Sequence, residues 1–232
     1  MKCSICLTGE LSSFGFVQFD RNNQDIPEIS NTLIEYYKCE KCGSITSPEM
    51  LDWSTERFSS EIYNEEYYKY DPDYTGERPK IWANMLSSLN YKKIRHLDYG
   101  GGSGLLSKNL ELSGWNTCSY DPYSSKTKPE GKFNFITAIE VFEHSPNIRN
   151  TILDIKKYLD RDGVILFSTL LVDKDINSNW WYIMPRNGHI SFLSKLAIIN
   201  LAKEYSLFFS SFNKGIHLLQ TNRSVAKQLG IE

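Results

Sequence analysis

The spacing of apolar residues changes along the chain, and the changes mark its elements. Ile94 to Asp98, Asn116 to Tyr120, Phe133 to Glu140 and Val164 to Thr169 are short, mostly apolar runs bounded by turn residues, the pattern of buried strands. Between them the period is helical. Ile81, Trp82, Met85, Leu86 and Leu89 predict an amphipathic helix over 79–90. Leu105, Leu106, Leu110 and Leu112 predict a second helix, closed by Gly114. Ile148, Ile152, Ile155 and Leu159 predict a third, followed by a turn at Leu159-Asp160-Arg161-Asp162-Gly163, and a fourth runs from about Ser194 to Tyr205. Phe208 to Phe212 and Ile216 to Thr221 flank Asn213-Lys214-Gly215 and read as a hairpin. The loop from Ser124 to Lys132 is too short for another helix-and-strand unit, because a crossover takes about 10–12 residues. Alternating strands and helices predict an α/β fold.

The front of the chain reads differently. Phe14 to Phe19 and Thr32 to Tyr37 are strand-like pieces. From Trp53 to Tyr74 the sequence is acidic and carries Tyr63, Tyr67, Tyr68, Tyr70 and Tyr74, with a turn at Asp71-Pro72-Asp73. These tyrosines serve either as contact surfaces for a substrate or as packing that seats the small module on the large one. The expected organisation is a small module over 1–52, a tyrosine-rich linker over 53–77 and an α/β domain over 78–232.

With 232 residues, 41% hydrophobic and 23% charged, the composition is that of a globular protein. No run of about 18 apolar residues is present, so no membrane span is expected. Met1-Lys2-Cys3-Ser4-Ile5-Cys6 has no apolar signal core, which makes the cytoplasm the expected location. Charge divides the chain: residues 1–75 hold 6 Lys/Arg against 14 Asp/Glu, and residues 76–232 hold 20 against 14. An acidic front half argues against wrapping a phosphate backbone, which needs cationic side chains. The basic rear half fits an anionic small molecule, or simply a solvated surface.

Four of the five cysteines form two pairs, Cys3-x-x-Cys6 and Cys39-x-x-Cys42, with Gly9 and Gly43 close behind. Each pair puts two thiolates on one tight turn, and two such turns complete a tetrahedral zinc site. Four thiolates leave no open position, so such a zinc is structural. Two disulfides, or a site that has lost its metal, are the alternatives.

The candidate cofactor site is His96-Leu97-Asp98-Tyr99-Gly100-Gly101-Gly102-Ser103-Gly104, a strand ending in an acid, a glycine turn and a helix start. It matches neither G-x-G-x-x-G nor G-x-x-x-x-G-K-[ST], the two phosphate-binding patterns. Asp121, followed by Pro122, ends the second strand, where a carboxylate can accept from both hydroxyls of a ribose. Phe133 to Pro146 is a strand emerging at Glu140 and turning through Glu143-His144. The glycine run resembles motif I of the class I S-adenosylmethionine-dependent methyltransferases. The Asp121 tip, the Glu-His turn and the terminal hairpin are similar to theirs as well. The resemblance covers about residues 78–221. It implies a Rossmann-like class I methyltransferase sheet ending in an antiparallel hairpin, preceded here by a zinc-ribbon-like module. It also implies S-adenosylmethionine as cofactor. Gly100, Gly101, Gly102 and Gly104 would allow close backbone approach, Asp98 would anchor the turn and the methionine end, and Asp121 with Pro122 would hold the ribose. Glu140 would border the methyl-transfer point.

The four-cysteine module resembles the front domain of the sugar C-methyltransferases of deoxysugar and polysaccharide biosynthesis. Those enzymes carry Y-x-E-H-(L/I)-S-x-F-S before a helix. Here Arg186-Asn187-Gly188-His189-Ile190-Ser191 keeps the histidine but has Arg186 for the tyrosine and Gly188 for the glutamate. Carbanion formation needs those groups, whereas methylation of a hydroxyl remains open. The expected activity is therefore methyl transfer to a hydroxyl of a sugar, nucleotide-sugar or glycan. His189 is the candidate base, because its unperturbed pKa lies near neutrality. Arg186, Trp181 and Tyr182 are the candidate substrate contacts; a solvent-exposed loop position is the alternative for Arg186, and core packing for at least one of the aromatics. His144 is expected to fix its turn, and His96 and His217 to pack within strands. Two other functions compete: an RNA or protein methyltransferase docking through its zinc ribbon, and a cofactor-binding protein without catalysis. Nucleic acid and membrane are not expected partners.

Overall fold

A computed structural model describes the chain except residues 22–30, 75, 90–92, 126, 229 and 232. Asn90, the expected end of one helix, Lys126, in the expected loop, and Thr75, in the expected linker, lie outside the described residues. The chain forms two compact units. The first takes in Met1–Pro72, Phe142–Arg149 and Leu170–Leu201; the second takes in Asp73–Val141, Asn150–Thr169 and Ala202–Glu232. The front unit is thus wider than the 1–52 module expected from the sequence. Its two later pieces join it by contacts between residues far apart in the chain, which local pattern does not report.

In order, the elements are β1 (Leu11–Gln18), β2 (Leu33–Cys39), β3 (Ile45–Thr46), α1 (Pro48–Leu51), α2 (Thr55–Glu61), α3 (Tyr67–Tyr70) and α4 (Glu77–Leu86). They continue with β4 (Arg95–Tyr99), α5 (Leu105–Leu112), β5 (Asn116–Tyr120), β6 (Phe133–Ile139), α6 (Ile148–Tyr158) and β7 (Leu159–Ser168). After these come β8 (Ser191–Phe192), α7 (Lys195–Glu204), β9 (Phe208–Ser211), β10 (Ile216–Gln220) and α8 (Val225–Gln228).

The first unit holds a four-stranded antiparallel sheet in the order β1-β2-β3-β8. Its core gathers Ile34, Tyr36, Ile45, Met50, Ile62 and Phe192, all essentially inaccessible to water. Tyr67 is buried in this core, while Tyr63, Tyr68 and Tyr74 are exposed, so the tyrosine-rich stretch divides between packing and surface.

The second unit holds a six-stranded sheet in the order β5-β4-β6-β7-β10-β9. β5, β4, β6 and β7 run parallel, while β10 is antiparallel to both β7 and β9. This is the expected α/β fold with its terminal hairpin. No strand lies beyond β5 among the described residues, in keeping with the short loop from 124 to 132. One expectation fails locally. The turn foreseen at residues 159–163 is part of β7. Phe133 pairs with Leu159 and Phe135 with Val164, so the extra residues are absorbed as a bulge rather than a separate turn. Leu97, Leu110, Phe135, Ile136 and Val164 are among the residues buried in this unit.

Candidate cofactor and metal sites

β4 delivers its last residues into the glycine turn. Gly100, Gly102 and Gly104 have φ of +73°, +50° and +74°, a region that side-chained residues rarely adopt. Steric demands add to this. A Cβ on Gly100 would strike Val141, one on Gly101 would overlap the Asp98 carboxylate and the Ser119 hydroxyl, and one on Gly102 would strike the Tyr74 hydroxyl. The turn is pinned by Gly100 N–H donating to the Tyr120 carbonyl (2.8 Å) and Gly104 N–H donating to Gly101 (2.8 Å). Helix α5 begins directly after Gly104.

Asp98 lies beneath this turn, 2% exposed, and accepts a hydrogen bond from the Thr137 hydroxyl at 3.0 Å. Burial pushes its carboxyl up to about 7, with the charge of Asp121 acting in the same direction and the Thr137 bond opposing it. Thr137 also meets Nε2 of His96, whose Nδ1 meets the Thr117 hydroxyl. Burial alone drives His96 down to about 3, so it is a neutral packing residue, as expected for a strand histidine.

Asp121 follows β5 and is partly exposed. Its Oδ1 accepts the backbone N–H groups of Tyr123 (2.9 Å) and Ser124 (3.1 Å), and its Oδ2 faces the Gly102 N–H at 3.3 Å. These bonds fix the carboxylate beside the glycine turn. Pro122 is exposed in the turn that Ser125 closes on Asp121. Glu140 stands after the end of β6 in a left-handed conformation, φ +52°. Its N–H donates to Ser168 Oγ (2.9 Å), and the same hydroxyl donates to Glu140 Oε1 (2.6 Å), a reciprocal clamp that holds the strained residue. The glycines fit a cofactor that approaches backbone closely, and Asp121 fits a diol.

In the first unit the four paired cysteines converge. Cys3 and Cys42 Sγ are 3.8 Å apart, Cys6 and Cys39 Sγ 3.6 Å apart, and all are free thiols rather than disulfides. A tetrahedral zinc with bonds of about 2.3 Å separates its sulfurs by about 3.8 Å, so the set fits that ion. Gly9 N–H donates to Cys6 Sγ and Cys42 N–H to Cys39 Sγ, the outer bonds that orient metal thiolates. A Cβ on Gly9 would overlap Cys39 Sγ.

A second group in the same unit was only partly legible. Glu143, His144 and His189 bring one ligating atom each to within 4.8 Å of one another. His189 is 6% exposed, and its Nδ1 lies 2.7 Å from the Tyr182 carbonyl. A carbonyl only accepts, so Nδ1 carries the proton and Nε2 the lone pair of the neutral ring. The Tyr182 hydroxyl donates to Glu143 Oε1. Tyr182 is buried and so engaged, which removes the basis for expecting it at a substrate. Arg186 is 5% exposed, donates to the Ile62 carbonyl (2.7 Å) and Asn64 Oδ1 (2.9 Å), and stacks on Tyr70. Its guanidinium ties the front unit together, an alternative use to the substrate contact expected of it. Trp181 is 61% exposed and stays available. Gly188, at φ +85°, occupies the place of the missing glutamate. A Cβ there would come to 3.0 Å from the Tyr63 hydroxyl and 3.1 Å from His144 Nδ1, so a side chain would crowd both. The carboxylate beside His189 comes instead from Glu143, present in the Glu-His doublet but given no role by sequence reasoning. Tyr74 over Gly102 was also missed, being one tyrosine among many.

A parallel sheet with a terminal antiparallel hairpin, and a glycine turn flanked by Asp98 and Asp121, defines a Rossmann-like cofactor-binding protein. Residues 74–207 match the family model described as a methyltransferase domain, and the chain belongs to that family. An O-methyltransferase family protein from Burkholderia thailandensis shares its fold with a TM-score of 0.54 and 11% identity, over 74% of this chain and 65% of that one. A putative O-methyltransferase from Nostoc punctiforme gives 0.52 at 9% identity, over 68% of this chain and 62% of that one. The 1,6-didemethyltoxoflavin-N1-methyltransferase of Burkholderia thailandensis, solved with its acceptor and S-adenosylhomocysteine, gives 0.50 at 12% identity, over 77% and 96% of the two chains. The chain thus spans just under two thirds of the length of the first two. No curated protein sequence matches it. Among the described residues, no helix is long and apolar enough to cross a membrane.

Proposed function

We propose that the chain is an S-adenosylmethionine-dependent methyltransferase acting on a hydroxyl of a small molecule, with a sugar, nucleotide-sugar or glycan as the acceptor class. The observation that carries the cofactor reading is the turn between β4 and α5, where Gly100, Gly102 and Gly104 leave the backbone without side chains and Asp121 Oδ2 faces the Gly102 N–H. When bound, S-adenosylmethionine supplies a methyl group made electrophilic by its sulfonium. Gly100 to Gly104 take the cofactor against backbone, Asp98 holds the turn and faces the methionine end, and Asp121 accepts from the ribose hydroxyls. Glu140 would border the point of methyl transfer. The acceptor hydroxyl loses its proton to His189 Nε2, the ring nitrogen left with a lone pair by the Tyr182 bond. Trp181 offers an exposed ring face to a sugar. Cys3, Cys6, Cys39 and Cys42 would hold a structural zinc.

Small-molecule acceptors are supported by the 1,6-didemethyltoxoflavin-N1-methyltransferase that shares the fold. The sugar class rests on the resemblance of the four-cysteine module and of His189-Ile190-Ser191 to the sugar methyltransferases. The test is a mass-spectrometric screen of nucleotide sugars with S-adenosylmethionine. A gain of one methyl group on any of them supports the reading. Turnover confined to other small molecules would overturn the sugar class and leave methyl transfer standing.

A further inference from the structure

The Glu143, His144 and His189 group has features that a histidine base does not need. Two histidines and a carboxylate from separate parts of the chain converge to within 4.8 Å. The His144 and His189 rings stand 4.8 Å apart between centroids at 83°. Two imidazoles bound to one ion through bonds of about 2.0–2.1 Å have centres about 5 Å apart when they take neighbouring positions. Each of the three also has the outer partner that metal ligands characteristically carry. Nδ1 of His189 donates to the Tyr182 carbonyl, Nδ1 of His144 lies 3.3 Å from the Tyr63 hydroxyl, and Glu143 Oε1 accepts from the Tyr182 hydroxyl.

The scaffold is rigid. The Glu143 carbonyl accepts from the N–H groups of both Ile190 (2.8 Å) and Ser191 (3.1 Å), and Ser191 Oγ donates to the Ser145 carbonyl (3.2 Å). The segment 143–145 is thereby stitched to 189–191. Gly188 admits His144 and Tyr63 to this corner, as any side chain there would meet both. Glu143 is fully buried and His189 nearly so, while His144 is partly exposed and gives solvent a route in.

We propose that Glu143, His144 and His189 bind a divalent transition-metal ion of the zinc type, at a site separate from the four cysteines. Imidazole and carboxylate suit such ions, and one carboxylate leaves the complex with a single positive charge. Three protein ligands leave at least one position open, the arrangement that admits a water or a hydroxyl-bearing ligand. An imidazole bound through Nε2 cannot accept a proton there, so the base role proposed above for His189 belongs to the metal-free form of this group. The inference stands on the cluster's own geometry, and metal binding is measured without methyl transfer.

The experiment is a Co2+ titration of the full chain loaded with a single equivalent of Zn2+, which the four thiolates take first, followed by absorption spectroscopy and metal analysis. The expected result is one further equivalent of Co2+, with visible d–d bands but no thiolate charge-transfer band. His144→Ala and His189→Gln should each abolish that equivalent while keeping the cysteine-bound zinc. Tyr182→Phe, which removes an outer bond, should weaken it by about 10–100-fold. Cobalt uptake that is absent, that shows thiolate charge transfer, or that is equal in wild type and His144→Ala would overturn the proposal. Should His189→Gln fail to fold, His144→Ala decides, because that side chain is only partly buried.

Discussion

Asp98 shows how one side chain sets both stability and pH response. Its carboxyl is shifted from 3.8 to about 7 in the folded protein, chiefly by burial. A folded-state pKa above the unfolded one gives stability that is complete below about pH 4 and lost as pH rises through about 7. Asp98→Asn stays neutral at every pH and keeps an acceptor for Thr137. It should match wild type near pH 4 and exceed it above pH 7 by a few kcal/mol, at about 1.4 kcal/mol per pKa unit. Urea unfolding at the two pH values checks this; equal differences at both would contradict it. Gly101 makes the opposite point. A methyl there has no space between Asp98 and Ser119. Gly101→Ala should destabilise by about 1–3 kcal/mol, the range for overpacking, in the same assay.

Among elements, the end of β6 and the end of β7 depend on each other. Glu140 adopts φ +52° without a glycine's freedom, and Ser168 on β7 accepts from its N–H and donates to its carboxylate. Ser168→Ala removes both bonds at once. It should cost about 1.5–3 kcal/mol of stability, the range for bonds to charged groups, in chemical denaturation. The cysteine turns are a second case. Their glycine Gly9 is needed because a Cβ would overlap Cys39 Sγ. Gly9→Ala should therefore lower the cysteine-bound zinc measured by metal analysis, while Gly76→Ala, with open space around it, should leave it unchanged.

Across the whole molecule, local pattern carried most of the second unit. The runs at 94–98, 116–120 and 133–140 became parallel strands, and the hairpin formed where Asn213-Lys214-Gly215 placed it. Period reports burial within a single element, so it served there. It did not reveal the bulge at 159–163, because a bulge and a turn share the same polar residues. Nor did it reveal that residues 142–149 and 170–201 join the front unit. β8 has only two residues and pairs with β3 about 145 positions earlier, a contact with no local signature. Site residues followed the same division. Asp98, the glycines, Asp121 and the cysteines sit in short motifs and were legible as candidates. Glu143 and Tyr74 gain their places through distant packing and were not. Arg186 and Tyr182 are candidate substrate contacts in the sequence, yet long-range partners bury them both.

The reading of this chain as a methyltransferase depends first on the cofactor. Isothermal titration calorimetry with S-adenosylhomocysteine, on wild type and Asp121→Ala, tests that directly. Wild type should bind one equivalent, and the variant should bind about 10–100-fold more weakly through the loss of bonds to a charged acceptor. No binding at millimolar ligand, or equal affinity in the two proteins, would contradict it.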